Sequence, residues 1–232
     1  MRGVRDNTPA PETRTIAGTV IVVDDDPGIR ASLDSLFRSV DLCVATFPDP
    51  SEFLAAGLPD GDCCLLLDVR LKAADGLTFQ ASLVQTGINV PVIIMTGHGD
   101  ISMAVKGMRA GAIDFLTKPF SDEAVLSAVS DALKISRSQR EEGLQRAEMQ
   151  ARYEQLSARE REVMALVASG LMNKQVAARL KISLITVKIY RANAMKKMQA
   201  SSLADLVRQA EELGIRDESI SRYHIEEDTR RR

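Results

Sequence analysis

A chain of 232 residues that is 45% apolar and only 4% aromatic fits one large or two modest domains with aliphatic cores. The net charge is −2, which excludes a uniformly basic or strongly acidic chain, and no apolar run approaches the ~18 residues of a transmembrane helix. The opening "MRGVRDNTPAPETRTIAG" lacks an apolar signal-peptide segment, so residues 1–17 are expected to form a disordered polar leader and the protein to be cytoplasmic, with no membrane partner.

The near-neutral total hides an asymmetry. Residues 18–134 hold 8 basic and 16 acidic residues, whereas residues 154–213 hold 10 basic and 6 acidic. Within 171–199 there are seven basic residues and no acid. An acidic half and a basic half suggest two domains with different partners. The three cysteines, Cys43, Cys63 and Cys64, follow no metal-ligand spacing, and Cys63-Cys64 reads as a pair of buried free thiols.

The first element is "TVIVVDDDPGIR". Its apolar run Val20–Val23 predicts a buried strand, and it ends in Asp24, Asp25 and Asp26. Carboxylates crowded at a strand end repel one another unless a cation offsets them. Further strands are predicted at 43–46, 64–67, 90–95 and 113–117, with helical spacing in "GIRASLDSLFRSV", "ISMAVKGMRAGA" and "SDEAVLSAVSDALK". The last opens with Ser121 as N-cap and has Asp122 and Glu123 in its first turn. Alternation of this kind predicts a parallel sheet wrapped by helices, with ligands bound beyond the carboxyl ends of its strands. Those ends carry Asp24–Asp26, then Asp68, then Thr96-Gly97, then Lys118-Pro119.

The stretch "ISRSQREEGLQRAEMQARYEQL" is charged, and its apolar residues Ile135, Leu144, Ala147 and Met149 are too sparse for a core. Residues 137–153 are expected to form a solvated helical linker, interrupted at Gly143; a dimerising coiled coil is the alternative. Next, Ser157 and Glu160 form a capping box that starts a helix with Val163, Leu166 and Val167 inward, stopped near Gly170. "NKQVAARL" is a short helix, "KIS" a turn and "SLITVKIYRANAMKKM" the next helix, with Val187, Ala194 and Met198 inward. Two short helices joined by a tight turn make a helix-turn-helix, and its charge is basic throughout. Residues 217–232 read as a polar tail.

The ordered set DD, D, T and KP over about residues 18–136 resembles the receiver domain of two-component response regulators. "LSARERE", "GLMNKQVAARL", "TVK", "RAN" and "KKM", over about 154–216, resemble the LuxR-type four-helix DNA-binding domain. Together they resemble the NarL/FixJ family. "TGHGD", "MAVKGMRAGAIDFLTKPF" and "VKIYRANAMKKM" point to its FixJ/NodW-like subgroup.

The resemblance implies a five-stranded parallel, CheY-like α/β receiver of order 2-1-3-4-5 followed by an all-α domain. It makes Asp68 the phosphoacceptor and Asp25 a Mg²⁺ ligand. Asp24 would help directly or through water, the Arg70 carbonyl would be a further ligand, and Asp26 would extend the acidic pocket. Thr96 and Lys118 would receive phosphoryl oxygens, and Phe115 would follow Thr96 inward on switching. A dimer face of Val105, Arg109, Ala112 and Asp114 would then form. Many relatives carry Met-Pro shortly after the nucleophile; Leu71-Lys72 stands here, so the loop is expected to be more mobile, since it lacks the proline ring that fixes its backbone.

On the second predicted helix of the helix-turn-helix, Lys188, Ile189 and Ala192 lie opposite the inward residues and are expected to face the DNA groove. Lys188 can donate to guanine and Ile189 can touch a thymine methyl. Asn193 is assigned to a base or a phosphate, and Lys174, Thr186, Tyr190 and Lys196 to phosphates. The partners implied are a sensor histidine kinase, double-stranded promoter DNA, RNA polymerase and, once phosphorylated, a second copy of the chain. The protein is expected to catalyse nothing beyond its own phosphotransfer and dephosphorylation, and to activate transcription of symbiosis- or nitrogen-related genes. Two other readings stay open: a regulator that works without phosphate, and a Mg²⁺-dependent phosphatase using the Asp24-x-Asp26 spacing.

Overall fold

The computed structural model describes residues 18–72, 75–97 and 101–215, with the side chains of residues 101, 102 and 104 left aside. The expected leader, residues 1–17, and polar tail, residues 217–232, lie outside the described residues. The chain divides into two units between residues 140 and 141.

In the first unit, strict alternation of side chains along buried strands separates two cores. Strands β1 (Thr19–Val23), β2 (Cys43–Phe47), β3 (Cys63–Asp68), β4 (Val92–Thr96) and β5 (Asp114–Thr117) form one parallel sheet of order β2-β1-β3-β4-β5. Val20, Val22, Cys64, Leu66, Ile93 and Met95 point to one face. There they meet Leu33 and Phe37 of α1 (Pro27–Ser39) and Val125, Ala128, Val129 and Ala132 of α5 (Asp122–Glu154). Ile21, Val23, Leu65, Leu67 and Ile94 point to the other face. They meet Phe53 of α2 (Pro50–Ala56) and Phe79 and Leu83 of α3 (Gly76–Gln85), with Met103 of α4 (Ile101–Arg109) half-buried beside them. The fourth strand starts at Val92, after the expected Val90, and Pro91 contributes its carbonyl to Leu65 N at 2.9 Å. Cys63 and Cys64 are buried and unpaired, and burial pushes the Cys64 thiol up to about 12.

Helix α5 is one element of 33 residues, and it passes through Gly143 without a break. A helical glycine costs only about 1 kcal/mol relative to alanine, and the Glu, Leu, Gln, Arg and Ala around it favour the helix. Residues 141–148 are exposed. Met149 departs from the expected solvated linker: it is buried and, with half-buried Tyr153, joins the core of the second unit.

That core has two parts, divided by α6 (Ala158–Ala168). Met164 and Ala168 face Ala194 and Met198 of α8 (Leu184–Met198) and Leu206 and Ala210 of α9 (Leu203–Glu212). Val163, Leu166 and Val167 face Val176 of α7 (Asn173–Leu180) and Val187 of α8. The expected capping box is present: Ser157 Oγ accepts from Glu160 N, and Glu160 Oε2 accepts from Ser157 N at 2.8 Å. The same Glu160 oxygen pairs with Lys197 Nζ at 2.7 Å, tying the start of α6 to the end of α8.

Candidate functional site

Parallel strands in register bring their carboxyl ends level. Val23 stands beside Leu67, Asp68 beside Met95, and Thr96 beside Thr117. Asp24, Asp68, Thr96 and Lys118 therefore meet at one rim. Asp24 is fully buried, Thr96 is nearly so, and Asp68 is 6% exposed. Lys118 Nζ donates to Asp24 Oδ2 at 2.5 Å and to Asp68 Oδ2 at 3.0 Å. Lys118 N donates to the Thr96 carbonyl at 2.7 Å, so the backbone fixes these neighbours. The Asp24 carboxylate also accepts from Asp26 N at 2.9 Å, and Asp68 Oδ1 accepts from Arg70 N at 3.3 Å.

The electrostatics follow from burial. Burial pushes the Asp24 carboxyl above the usual carboxylate range, against the pull of Lys118 and the Asp26 amide. Burial alone would lower the Lys118 ammonium, but its hydrogen bonds to Asp24 and Asp68 outweigh that and hold it above its ordinary value. Carboxylate oxygens of Asp24, Asp25 and Asp68 lie within 4.8 Å of one another. Three hard oxygen donors at this spacing suit Mg²⁺, which takes one or two carboxylates and keeps several waters.

In the second unit, α7, the turn Lys181–Ser183 and α8 form the helix-turn-helix, with Lys181 left-handed at φ 54°. Ser183 caps α8, accepting from Thr186 N at 3.0 Å. Val187, Ala194 and Met198 are fully buried, which turns Lys188, Ile189, Ala192, Asn193 and Lys196 outward, all exposed.

Two family models match the chain. The response regulator receiver domain matches residues 20–130, and the luxR family of bacterial regulatory proteins matches residues 154–223. Nodulation protein W of Bradyrhizobium diazoefficiens is 52% identical over 196 residues, covering 84% of this chain and 86% of that protein. The transcriptional regulatory protein FixJ of Azorhizobium caulinodans is 44% identical over 191 residues, covering 82% and 90%. Among solved structures, the response regulator StyR matches with a TM-score of 0.72 at 39% identity, over 84% of this chain and 98% of that one. The chain belongs to the NarL/FixJ-type response regulators. It carries a receiver of order 2-1-3-4-5 and a helical LuxR-type domain, an organisation for DNA binding and transcription regulation.

Two expected site residues of this response regulator are corrected. Asp26 does not extend the acidic pocket; its Oδ1 accepts from Gly28 N at 2.7 Å and Ile29 N at 3.4 Å, capping α1 ahead of Pro27. Three acids in a row serve two purposes, because the third sits where the helix starts. Ala112 is not on an exposed face: it is 6% exposed and packs in the core beneath the sheet, because the Gly111 turn folds it inward. Val105, Arg109 and Asp114 are exposed, and Phe115 is half-buried against the same core.

The loop after Asp68 is pinned at both described ends. Leu71 is buried in the core, Gly76 N donates to Val69 O at 3.0 Å, and Asp75 caps α3 through Leu77 N. Residues 73 and 74, within the loop expected to be more mobile, lie outside the described residues. The sequence reading missed one contact: Lys72 Nζ lies 3.1 Å from Asp25 Oδ2. Its only signal in the sequence is a lysine four residues beyond Asp68. On the DNA side, Tyr190 is half-buried against the α7 core, Arg191 reaches Asn173 Oδ1 at 3.4 Å, and Lys174 is exposed on α7.

Proposed function

We propose that this response regulator accepts a phosphoryl group on Asp68 from a sensor histidine kinase, dimerises through its receiver, and binds promoter DNA through α8 to activate transcription. The reading rests on one juxtaposition: the Asp68 carboxylate lies beside Lys118, with the oxygens of Asp24 and Asp25 within 4.8 Å. An Asp68 oxygen attacks phosphorus, the phosphorus–nitrogen bond to the donor histidine breaks, and an aspartyl phosphate forms. Lys118 then turns from Asp68 to a phosphoryl oxygen as a point charge, and the Thr96 hydroxyl donates to another. Asp24, Asp25, Asp68 and the Arg70 carbonyl would hold Mg²⁺, which when bound supplies neutralisation of the phosphoryl charge.

Movement of Thr96 toward the phosphate draws Phe115 inward and reshapes α4 and β5. Val105, with Arg109 of one copy opposite Asp114 of the other, then forms the dimer face. A pair of α8 helices would read two half-sites, and bound dimer would recruit RNA polymerase; this work on DNA belongs in the cytoplasm. Beyond its own phosphotransfer and dephosphorylation the protein catalyses nothing. The Nodulation protein W relative supports a symbiosis-linked set of target genes.

Acetyl phosphate with Mg²⁺ is the test. Wild type should gain about 80 Da, one phosphoryl group, and shift from monomer to dimer by sedimentation, while Asp68→Asn does neither. Equal labelling of Asp68→Asn moves the site elsewhere, and a single mass in both states removes the dimer switch. Selection of bound DNA fragments with and without acetyl phosphate identifies the target genes.

A further inference from the structure

Three carboxylates meet at the ends of β1 and β3, and two ammoniums stand among them. Lys118 takes Asp24 and Asp68. Asp25, the most exposed of the three acids, is taken by Lys72 at 3.1 Å. The Lys72 side chain is 85% exposed, so its ammonium is held by that carboxylate and not by packing. Its position is held by its neighbour: Leu71 is buried in the core, 8% exposed, which keeps residue 72 at the site's edge.

We infer that Lys72 is a built-in competitor for the divalent cation. Its ammonium occupies Asp25 until Mg²⁺ displaces it, and this sets the Mg²⁺ concentration at which Asp68 becomes competent. The inference rests on the Mg²⁺ reading of the carboxylate cluster. A cation arriving at Asp25 must release the ammonium and overcome its repulsion at close range. The pair is solvent-exposed, so it is worth what surface ion pairs are worth, about a two- to fivefold change in an equilibrium constant. That penalty shrinks as salt screens it. A glutamine at position 72 keeps the side chain's length and removes the charge.

The experiment is a Mg²⁺ titration of the full chain, followed by amide NMR shifts at Asp25 and Asp26, for wild type, Lys72→Gln, Lys72→Arg and Asp25→Ala. Lys72→Gln should bind Mg²⁺ about two- to fivefold more tightly at low ionic strength, with the gap narrowing as sodium chloride rises. Lys72→Arg should match wild type, because the cation is retained. Unchanged or weaker Mg²⁺ binding by Lys72→Gln overturns the inference while a weakened Asp25→Ala keeps the metal site intact. If Asp25→Ala binds as wild type does, calorimetry giving its dissociation constant, the metal lies elsewhere and the inference falls with that reading.

Discussion

Gly76 and Asp68 meet backbone to backbone. A Cβ placed on Gly76 would stand 2.2 Å from the Asp68 carbonyl oxygen and 2.9 Å from Val69 Cα. The first residue of α3 thus lies directly against the end of the strand that carries Asp68, and no side chain fits between them. Gly76→Ala forces that strand end or the helix to move. The expected cost is about 2–3 kcal/mol, the upper part of the range for overpacking. It should also slow phosphoryl uptake from acetyl phosphate, since Asp68 shifts from Lys118. A urea unfolding midpoint equal to that of wild type would show that the helix yields without cost.

Lys118 opposes the rise that burial imposes on the Asp24 carboxyl. In Lys118→Met, Asp24 stays fully buried and loses its hydrogen-bonded cation. Its carboxyl, already raised by burial, rises further. A folded-state pKa above the unfolded one gives stability that is present below the unfolded value and is lost as pH rises through the folded value. Lys118→Met should therefore lose about 3 kcal/mol or more at neutral pH and clearly less near pH 5. Urea unfolding at both pH values, by circular dichroism, measures it. Equal losses at the two pH values would show that Asp24 does not carry the effect.

How much of this was readable in the sequence depends on how local each signal is. The receiver rim was readable because a parallel sheet forces every strand's last polar residue to the same edge, so Asp24, Asp68, Thr96 and Lys118 needed no tertiary information. The inward set Val187, Ala194 and Met198 was readable from helical spacing alone. Asp26 was misplaced because three identical acids hide which one precedes the helix, although Pro27 marks it in retrospect. Ala112 was misplaced because a small residue after a turn carries no periodicity. Met149 is one apolar residue in a charged helix, and it is buried only by joining the cluster built from α6, α8 and α9. The Lys72–Asp25 pair crosses a loop, and no spacing rule predicts that reach.

Glu160 shows the opposite sign to Asp24. Its burial would raise the carboxyl, but hydrogen bonds from Lys197 and Ser157 outweigh this and hold it below the usual range. A depressed folded pKa gives stability that is present above the unfolded value and is lost as pH falls through the folded value. Glu160→Gln keeps the shape of the capping box and removes the charge. It should cost about 1–2 kcal/mol at pH 7, as a charge-assisted hydrogen bond would. The gap to wild type should close as pH drops below the ordinary glutamate range. All three tyrosines, Tyr153, Tyr190 and Tyr223, lie beyond residue 140, so tyrosine fluorescence follows the second unit alone. A gap that stays constant down to pH 3 would place the contribution in packing and not in charge.

On α8, base reading is expected of Lys188 and phosphate holding of Lys196. Lys188 and Lys196 are both exposed, while Val187 and Ala194 beside them are buried. Lys188 lies near the start of α8, next to Ile189, which is 53% exposed. An apolar side chain left bare beside a lysine suits a thymine methyl next to a guanine edge in the major groove. Lys196 lies in the last turn, where a contact to the sugar-phosphate backbone positions the helix and reads nothing. Lys188→Ala should cost about 1–3 kcal/mol on the selected operator and relax preference at one base pair. Lys196→Ala should weaken operator and scrambled duplex alike and reduce the salt slope by roughly one ion. Lys197 serves as the internal control. Its Nζ is bound to Glu160 at 2.7 Å, so Lys197→Ala should lower stability more than it alters the choice of sequence. Binding to both duplexes at several salt concentrations distinguishes the three. If Lys188→Ala lowers the two affinities by one common factor, Lys188 holds a phosphate, and sequence is read by Ile189 and the exposed residues around it.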